Sequence, residues 1–230
     1  MQFAILILLI GFFLFLYVLH LISKDDFIII RKDIPMDQIF NVAFLTSVVA
    51  LFFARFSYAI INPNLVPKTL LGFLALWYFP GLYLVGAVLG GGFFLALYTS
   101  YKKLPVGRVF DFFILSFSVI HPFVVLCMEL LAGKNELFFS FLQFFIYLVI
   151  SIFFFKLVFT YTQKNVLKEG SLGILYLICL SVISFLSNMV RHWKTLGIFE
   201  KDNLLWMLVL IICIVIAVKQ ELVEKSSSKK

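Results

Sequence analysis

Long apolar runs alternate with short stretches that hold most of the charge. Seven runs come close to or exceed the ~20 residues a helix needs to cross a bilayer: residues 3–22, 38–61, 80–101, 109–132, 137–161, 171–190 and 203–218. Backbone N–H and C=O groups must be paired internally in hydrocarbon, so each run predicts an α-helix. Period-two alternation is missing from these runs, which excludes an outer-membrane barrel. The expected fold is all-α, a polytopic membrane protein with seven transmembrane helices. Residues 1–220 form one domain, and residues 221–230 form a basic disordered tail. The first run, Phe3 to Ile22, is too long for the apolar part of a signal peptide. It has no basic start and no small-residue cleavage site, so it is expected to remain as a helix.

One region breaks the rhythm. Asn62-Pro63-Asn64 and Pro67 predict a turn outside the membrane. Leu70 to Phe79 is apolar over only half a span, and Pro80-Gly81 then interrupts it. This segment reads as interfacial or re-entrant, with an eighth span as the alternative.

Composition agrees with the pattern. Hydrophobic residues make up 63% of the chain, including 30 Phe, and mean hydropathy is +1.10. Soluble domains sit near 45–50% apolar. Net charge is +7, but apart from Arg55 and Lys156 the basic residues lie outside the spans, where they meet lipid headgroups, and no basic aromatic stripe points to nucleic acid. Lys24, Arg31, Lys32, Lys102, Lys103, Arg108, Lys164, Lys168, Lys219, Lys225, Lys229 and Lys230 fall on one side of the seven-helix topology. Lys68, Lys134, Arg191, Lys194 and Lys201 fall on the other. That bias predicts an outward N-terminus and a cytoplasmic C-terminus. Cys127, Cys179 and Cys213 lie inside apolar runs without metal-ligand spacing, so neither a disulfide framework nor a metal or cofactor is expected.

Charged and polar groups at membrane depth are the candidate functional residues. Arg55 and Tyr58 stand three apart on one helix face and offer a guanidinium and a phenol. A guanidinium pairs with two phosphate oxygens at once, although a snorkelling anchor would look the same. Glu129, towards the end of the fourth span, is a plausible partner for Arg55. His121, before Pro122, is a base, a ligand or a buried hydrogen-bonder. Gly90-Gly91-Gly92 lets a helix or headgroup approach the backbone. Asp111, near the start of the fourth span, suits a helix N-terminus. Arg191 and His192 end the sixth span, and His20 lies near the end of the first.

In order along most of the chain, these features resemble the prolipoprotein diacylglyceryl transferase family of bacterial inner membranes. Ala54-Arg55-Phe56-Ser57-Tyr58 is similar to the family's Gly/Ala-Arg-x-x-Tyr. Gly90-Gly91-Gly92 stands at its glycine-rich turn, where Gly90 replaces the family's reactive-site His. A basic loop leads to Phe110-Asp111-Phe112, like the family's Asp-Phe helix start. Leu142-Gln143 resembles its Gln-Leu-Tyr-Glu stretch, and Glu169-Gly170-Ser171-Leu172-Gly173 the glycine opening its sixth helix. Departures accompany these likenesses. Ser118 to Phe123 replaces an Arg-bearing segment, Ser184 stands at the family's sixth-helix Arg, and the extracytoplasmic head between helices four and five is missing.

The resemblance implies transfer of a diacylglyceryl group from phosphatidylglycerol to the thiol of a lipobox cysteine. The expected partners are membrane phospholipid and a lipoprotein signal-peptide precursor, in a bacterial cytoplasmic membrane. Arg55, Tyr58, Gly91, Gly92, Asp111, Gln143 and Arg191 would bind substrate, and His121 and Glu129 would serve catalysis. With several family cations replaced, transfer is expected to be weakened. The alternative is a non-catalytic lipid-binding or structural protein on the same scaffold. A small transporter is a third reading, disfavoured because no span holds paired carboxylates and no inverted repeat is visible.

Overall fold

The computed structural model describes residues 2–66, 69, 72–73, 81–131, 137–160, 168–191 and 201–227. Over these residues the chain is all-helical, with seven helices long and apolar enough to cross a membrane. In chain order the elements are α1 (Gln2–Ser23), a short α2 (Phe27–Arg31), α3 (Met36–Ile61), α4 (Leu84–Tyr101), α5 (Val106–Leu131), α6 (Leu137–Phe153), α7 (Ser171–Arg191) and α8 (Lys201–Ser227). α6 runs on through one π-helical turn, Phe154–Val158.

Several boundaries differ from the sequence reading. α4 begins at Leu84, because Gly81 adopts φ +148° and Tyr83 is an extended N-cap. The Tyr83 N–H leaves the helix pattern and donates to the Ala54 carbonyl at 3.1 Å. α8 continues through Ser227, past the expected start of the tail. The Leu70–Phe79 segment, read as interfacial or as part of an extra span, lies outside the described residues apart from Gly72 and Phe73.

α5 is the central helix. In its spanning window 56% of residues are buried, against 17% for α1. It adjoins α1, α4, α6 and α7, while α3 packs along α4 and α8 along α7. Phe112 and Leu115 of α5 and Leu172, Tyr176 and Leu180 of α7 are fully buried members of one core cluster. Many Phe and Leu side chains point outward, as a lipid-facing surface requires. Buried hydroxyls return to their own helix: Ser23, Thr99, Ser116 and Ser181 each donate to the carbonyl four residues back.

The α3–α4 pair is close because α4 presents glycines to α3. A Cβ on Gly86 would stand 2.5 Å from the Phe53 carbonyl, and one on Gly90 would stand 2.2 Å from the Phe53 ring. A Cβ on Gly91 would meet Ala50 at 2.9 Å. The triple glycine therefore sits within a continuous helix and not in a turn. The small-residue face lets two backbones approach without a hydrophobic drive, which lipid does not supply.

At the end where α1 stops and α5 begins, two carboxylates tie the bundle. Asp26 caps α2 by accepting the Ile28 and Ile29 N–H groups at 3.0 and 3.2 Å. Its other oxygen takes Arg108 Nε at 2.9 Å and Arg108 Nη2. Arg108, counted above as a loop charge, is thus a buried ion-pair partner. Asp111 accepts the N–H groups of Gly170 at 2.7 Å and Gly173 at 2.8 Å, so it caps α7 and not its own helix.

Candidate functional site

The candidate residues separate into two groups inside the bundle and a third at the charged end. The first group gathers where α3 stops and α4 starts. Arg55 is 2% exposed, so the apolar run of α3 turns this cation inward and away from lipid. Nε donates to the Phe73 carbonyl at 2.9 Å, and Nη1 donates to the Gly81 carbonyl at 3.0 Å. Nη2 is buried and has no hydrogen-bond partner. The guanidinium lies 5.7 Å from the Tyr58 ring centre and 6.0 Å from that of Phe73. Tyr58 in turn meets the Tyr83 ring at 5.6 Å.

The pairing of Arg55 with Glu129 expected from the sequence does not form. Two guanidinium nitrogens donate to carbonyls, and the third, Nη2, donates to no carboxylate. α3 packs along α4, and it is α4 that adjoins α5, which carries Glu129. Sequence reasoning missed the partners because they are backbone carbonyls, which any residue provides.

The start of α8 closes over this group. Lys201 Nζ donates to the Ile61 carbonyl at 3.2 Å. The Tyr83 hydroxyl lies within reach of Asn62 and Asp202. Burial pushes this phenol above its ordinary pKa, so it stays protonated and can donate to Asp202.

The second group lies among α5, α6 and α7. His121 is buried, with the Tyr147 ring centre at 4.6 Å and Phe117 at 4.9 Å. Its Nδ1 has no partner. The Tyr147 hydroxyl shares a hydrogen bond with Ser184 at 3.0 Å and accepts one from Gln143 at 3.2 Å. His121 and Gln143 are thus brought together through Tyr147, a residue sequence reasoning did not single out. The (i, i+4) spacing of Gln143 and Tyr147 on α6 was the available signal.

The remaining candidates are elsewhere. Asp111 is at the opposite end of the bundle from Arg55. Eighteen helical residues, about 27 Å at 1.5 Å each, separate it from Glu129 along α5. Both of its oxygens already accept backbone N–H groups, so it does not join a headgroup site with Arg55. Gly91 packs on Ala50, whereas a Cβ on Gly92 would meet nothing within 4 Å. Arg191 ends α7, with its side chain outside the described residues. His20 stacks on Phe40 at 5.9 Å beside an open groove with Leu16 and Tyr17.

The arrangement of seven spans and a buried arginine facing an aromatic pair accompanies a match to a family model. The model for prolipoprotein diacylglyceryl transferase matches residues 2–124, just over half of the chain. The chain belongs to the prolipoprotein diacylglyceryl transferase family. Comparison with curated proteins and with solved structures gives no match. The matched region of this transferase-family chain holds Arg55, Tyr58, the glycine run, Asp111 and His121. Glu129, Gln143, Tyr147, Ser184 and the whole of α8 lie beyond it.

Chemically, the Arg55 group offers a pre-oriented cation with a free donor edge next to two phenols. The His121 group offers an imidazole with amide, phenol and hydroxyl neighbours and no charged partner among its described contacts.

Proposed function

We propose that this prolipoprotein diacylglyceryl transferase-like membrane protein binds anionic phospholipid, phosphatidylglycerol, at Arg55 and is a weak transferase or none. The observation that carries this reading is the buried Arg55 guanidinium, held by two carbonyls with Nη2 left unpartnered. A buried donor without a partner costs about 1–3 kcal/mol, more when charged. A phosphate oxygen would remove that cost and supply the counter-charge.

Transfer needs more. The phosphoester leaving group gains charge in the transition state, and a lost stabilising donor costs ~3–4 kcal/mol of barrier. Cleavage breaks the bond from glycerol carbon to phosphate oxygen while a deprotonated thiol forms the new carbon–sulfur bond. His121 is the candidate for taking the thiol proton, but its described neighbours contain no carboxylate to orient or charge it. Gly90 stands where the family's reactive histidine belongs, and Ser184 where it has an arginine. Loop charge favours an outward N-terminus, which puts the Arg55 end in the outer half of a bacterial inner membrane.

The test combines purified protein, labelled phosphatidylglycerol and a lipobox peptide. The expected result is lipid binding with little or no labelled peptide. Robust transfer that His121→Ala abolishes would replace this reading with a relocated-base transferase.

A further inference from the structure

α6 is built almost wholly of Phe, Leu, Ile and Val, yet it turns one polar stripe inward. Ser140, Gln143, Tyr147 and Ser151 follow one another at helical spacing and share a face. Ser140, Tyr147 and Ser151 are buried, and Gln143 is half-buried. Polar groups are expensive at membrane depth, so an inward polar stripe marks a partner inside the bundle.

The side chains present do not satisfy every atom. Tyr147 shares a hydrogen bond with Ser184 of α7 at 3.0 Å and accepts one from Gln143 Nε2 at 3.2 Å. Gln143 Oε1 stays buried without a partner, and so does His121 Nδ1 on α5. His121 is 4% exposed, and its ring meets that of Tyr147 at 4.6 Å. Both unpartnered atoms thus belong to side chains that touch Tyr147. α6 packs along α5, but among the described residues it adjoins α7 closely only at its π-helical turn, Phe154–Val158. The Tyr147–Ser184 bond therefore bridges two helices whose backbones stand apart, and Gln143 reaches from the bundle towards lipid.

The two atoms define the chemistry of what fits between them. An amide oxygen only accepts, so it needs a donor. A neutral imidazole nitrogen needs a donor or an acceptor according to its tautomer. A hydroxyl supplies both from one atom. An ether or ester oxygen offers Gln143 Oε1 nothing. A phosphate finds no cation and an ammonium no carboxylate among the described contacts.

We infer that His121, Gln143 and Tyr147 form a site for one uncharged hydroxyl group, supplied by water or by a neutral hydroxylated lipid. The hydroxyl donates to Gln143 Oε1 and pairs with His121 Nδ1. Tyr147 is a positioning residue, held by Ser184, that keeps the two side chains around it. The site stands apart from Arg55, and neither reading requires the other.

The experiment uses the full chain in detergent and two probes. One is hexadecanol carrying a photoreactive diazirine, and the other is its methyl ether, which has no donor. If a lipid supplies the hydroxyl, the alcohol should label α6 or α7 of wild type more than the ether does by about tenfold, the scale of one or two hydrogen bonds. Gln143→Leu and His121→Phe should each erase that preference and leave labelling by the ether. Both changes replace an unpartnered polar group by an apolar one, so neither should unfold the bundle. Water is read by NMR of 15N-histidine, since the chain has three histidines. Magnetisation should pass from water to the His121 imidazole, and the alcohol should remove that transfer. Transfer from water that persists, with no preference for the alcohol, assigns the hydroxyl to water. Equal labelling by both probes and no water contact at His121 in folded protein overturn the site. A preference for the alcohol that survives both Gln143→Leu and His121→Phe overturns it as well. Phosphatidylglycerol binding, measured in the same variants, reports on the Arg55 site separately.

Discussion

Arg55 Nη1 donates to the carbonyl of Gly81, 3.0 Å away and 26 residues later in the chain. The bond joins the last turns of α3 to the segment that starts α4, so the cation is positioned by backbone and not by an acid. Gly81 is required there twice over. Its φ is +148°, and a Cβ would stand 2.2 Å from the Tyr58 ring. Gly81→Ala should therefore destabilise the protein by about 1–3 kcal/mol and displace the carbonyl that holds Arg55. Thermal unfolding in detergent measures the first effect. A variant that melts with wild type would mean the turn relaxes freely.

The glycines of α4 should divide by what faces them. Gly86→Ala puts a methyl 2.5 Å from the Phe53 carbonyl, a backbone atom that cannot swing away. It should cost roughly 1–3 kcal/mol. Gly92→Ala meets nothing within 4 Å and should be neutral or stabilising, since alanine outranks glycine in helices by up to ~1 kcal/mol. Equal melting of the two variants would refute the close α3–α4 contact.

Asp26 and Arg108 should behave as a coupled pair. Removing either partner alone leaves a buried charge, typically at a cost of about 3–5 kcal/mol. The double change Asp26→Ala with Arg108→Ala should cost less than the sum of the single changes. A double-mutant cycle on unfolding in detergent reads the coupling, and additive losses would show that the ion pair does not form.

Much of this was legible in the residue pattern. The seven spans follow from run length, because hydrocarbon leaves the backbone no partner but its own helix. Arg55 followed from the cost of a cation at membrane depth. Its partners did not, since the carbonyls of Phe73 and Gly81 have no side-chain signature. Asp111 shows the same gap. Its position near a helix start suggested that it serves its own helix, yet it caps α7 across a fold contact that only packing defines. Arg108 read as a loop charge because its partner, Asp26, lies 82 residues earlier. Asp202 and Tyr83 were invisible because α8 returns to the α3–α4 mouth only in three dimensions.

Topology gives a prediction independent of chemistry. Reporter fusions after Lys103 and at Lys230 should both read cytoplasmic, as the excess of Lys and Arg on that side requires. A reporter reading from the opposite side at either position would invert or break the proposed orientation.

Lipid binding by Arg55 variants tests the central claim most directly. The free Nη2 edge makes a specific demand, because Arg55→Lys keeps the charge but loses the planar fork. Titration of phosphatidylglycerol against phosphatidylcholine, read by native mass spectrometry of detergent-solubilised protein, should show selective binding by wild type. Arg55→Lys should bind less tightly, and Arg55→Gln should lose the selectivity by tenfold or more, about 1.4 kcal/mol. Selectivity for phosphatidylglycerol that survives undiminished in folded Arg55→Gln would contradict the account.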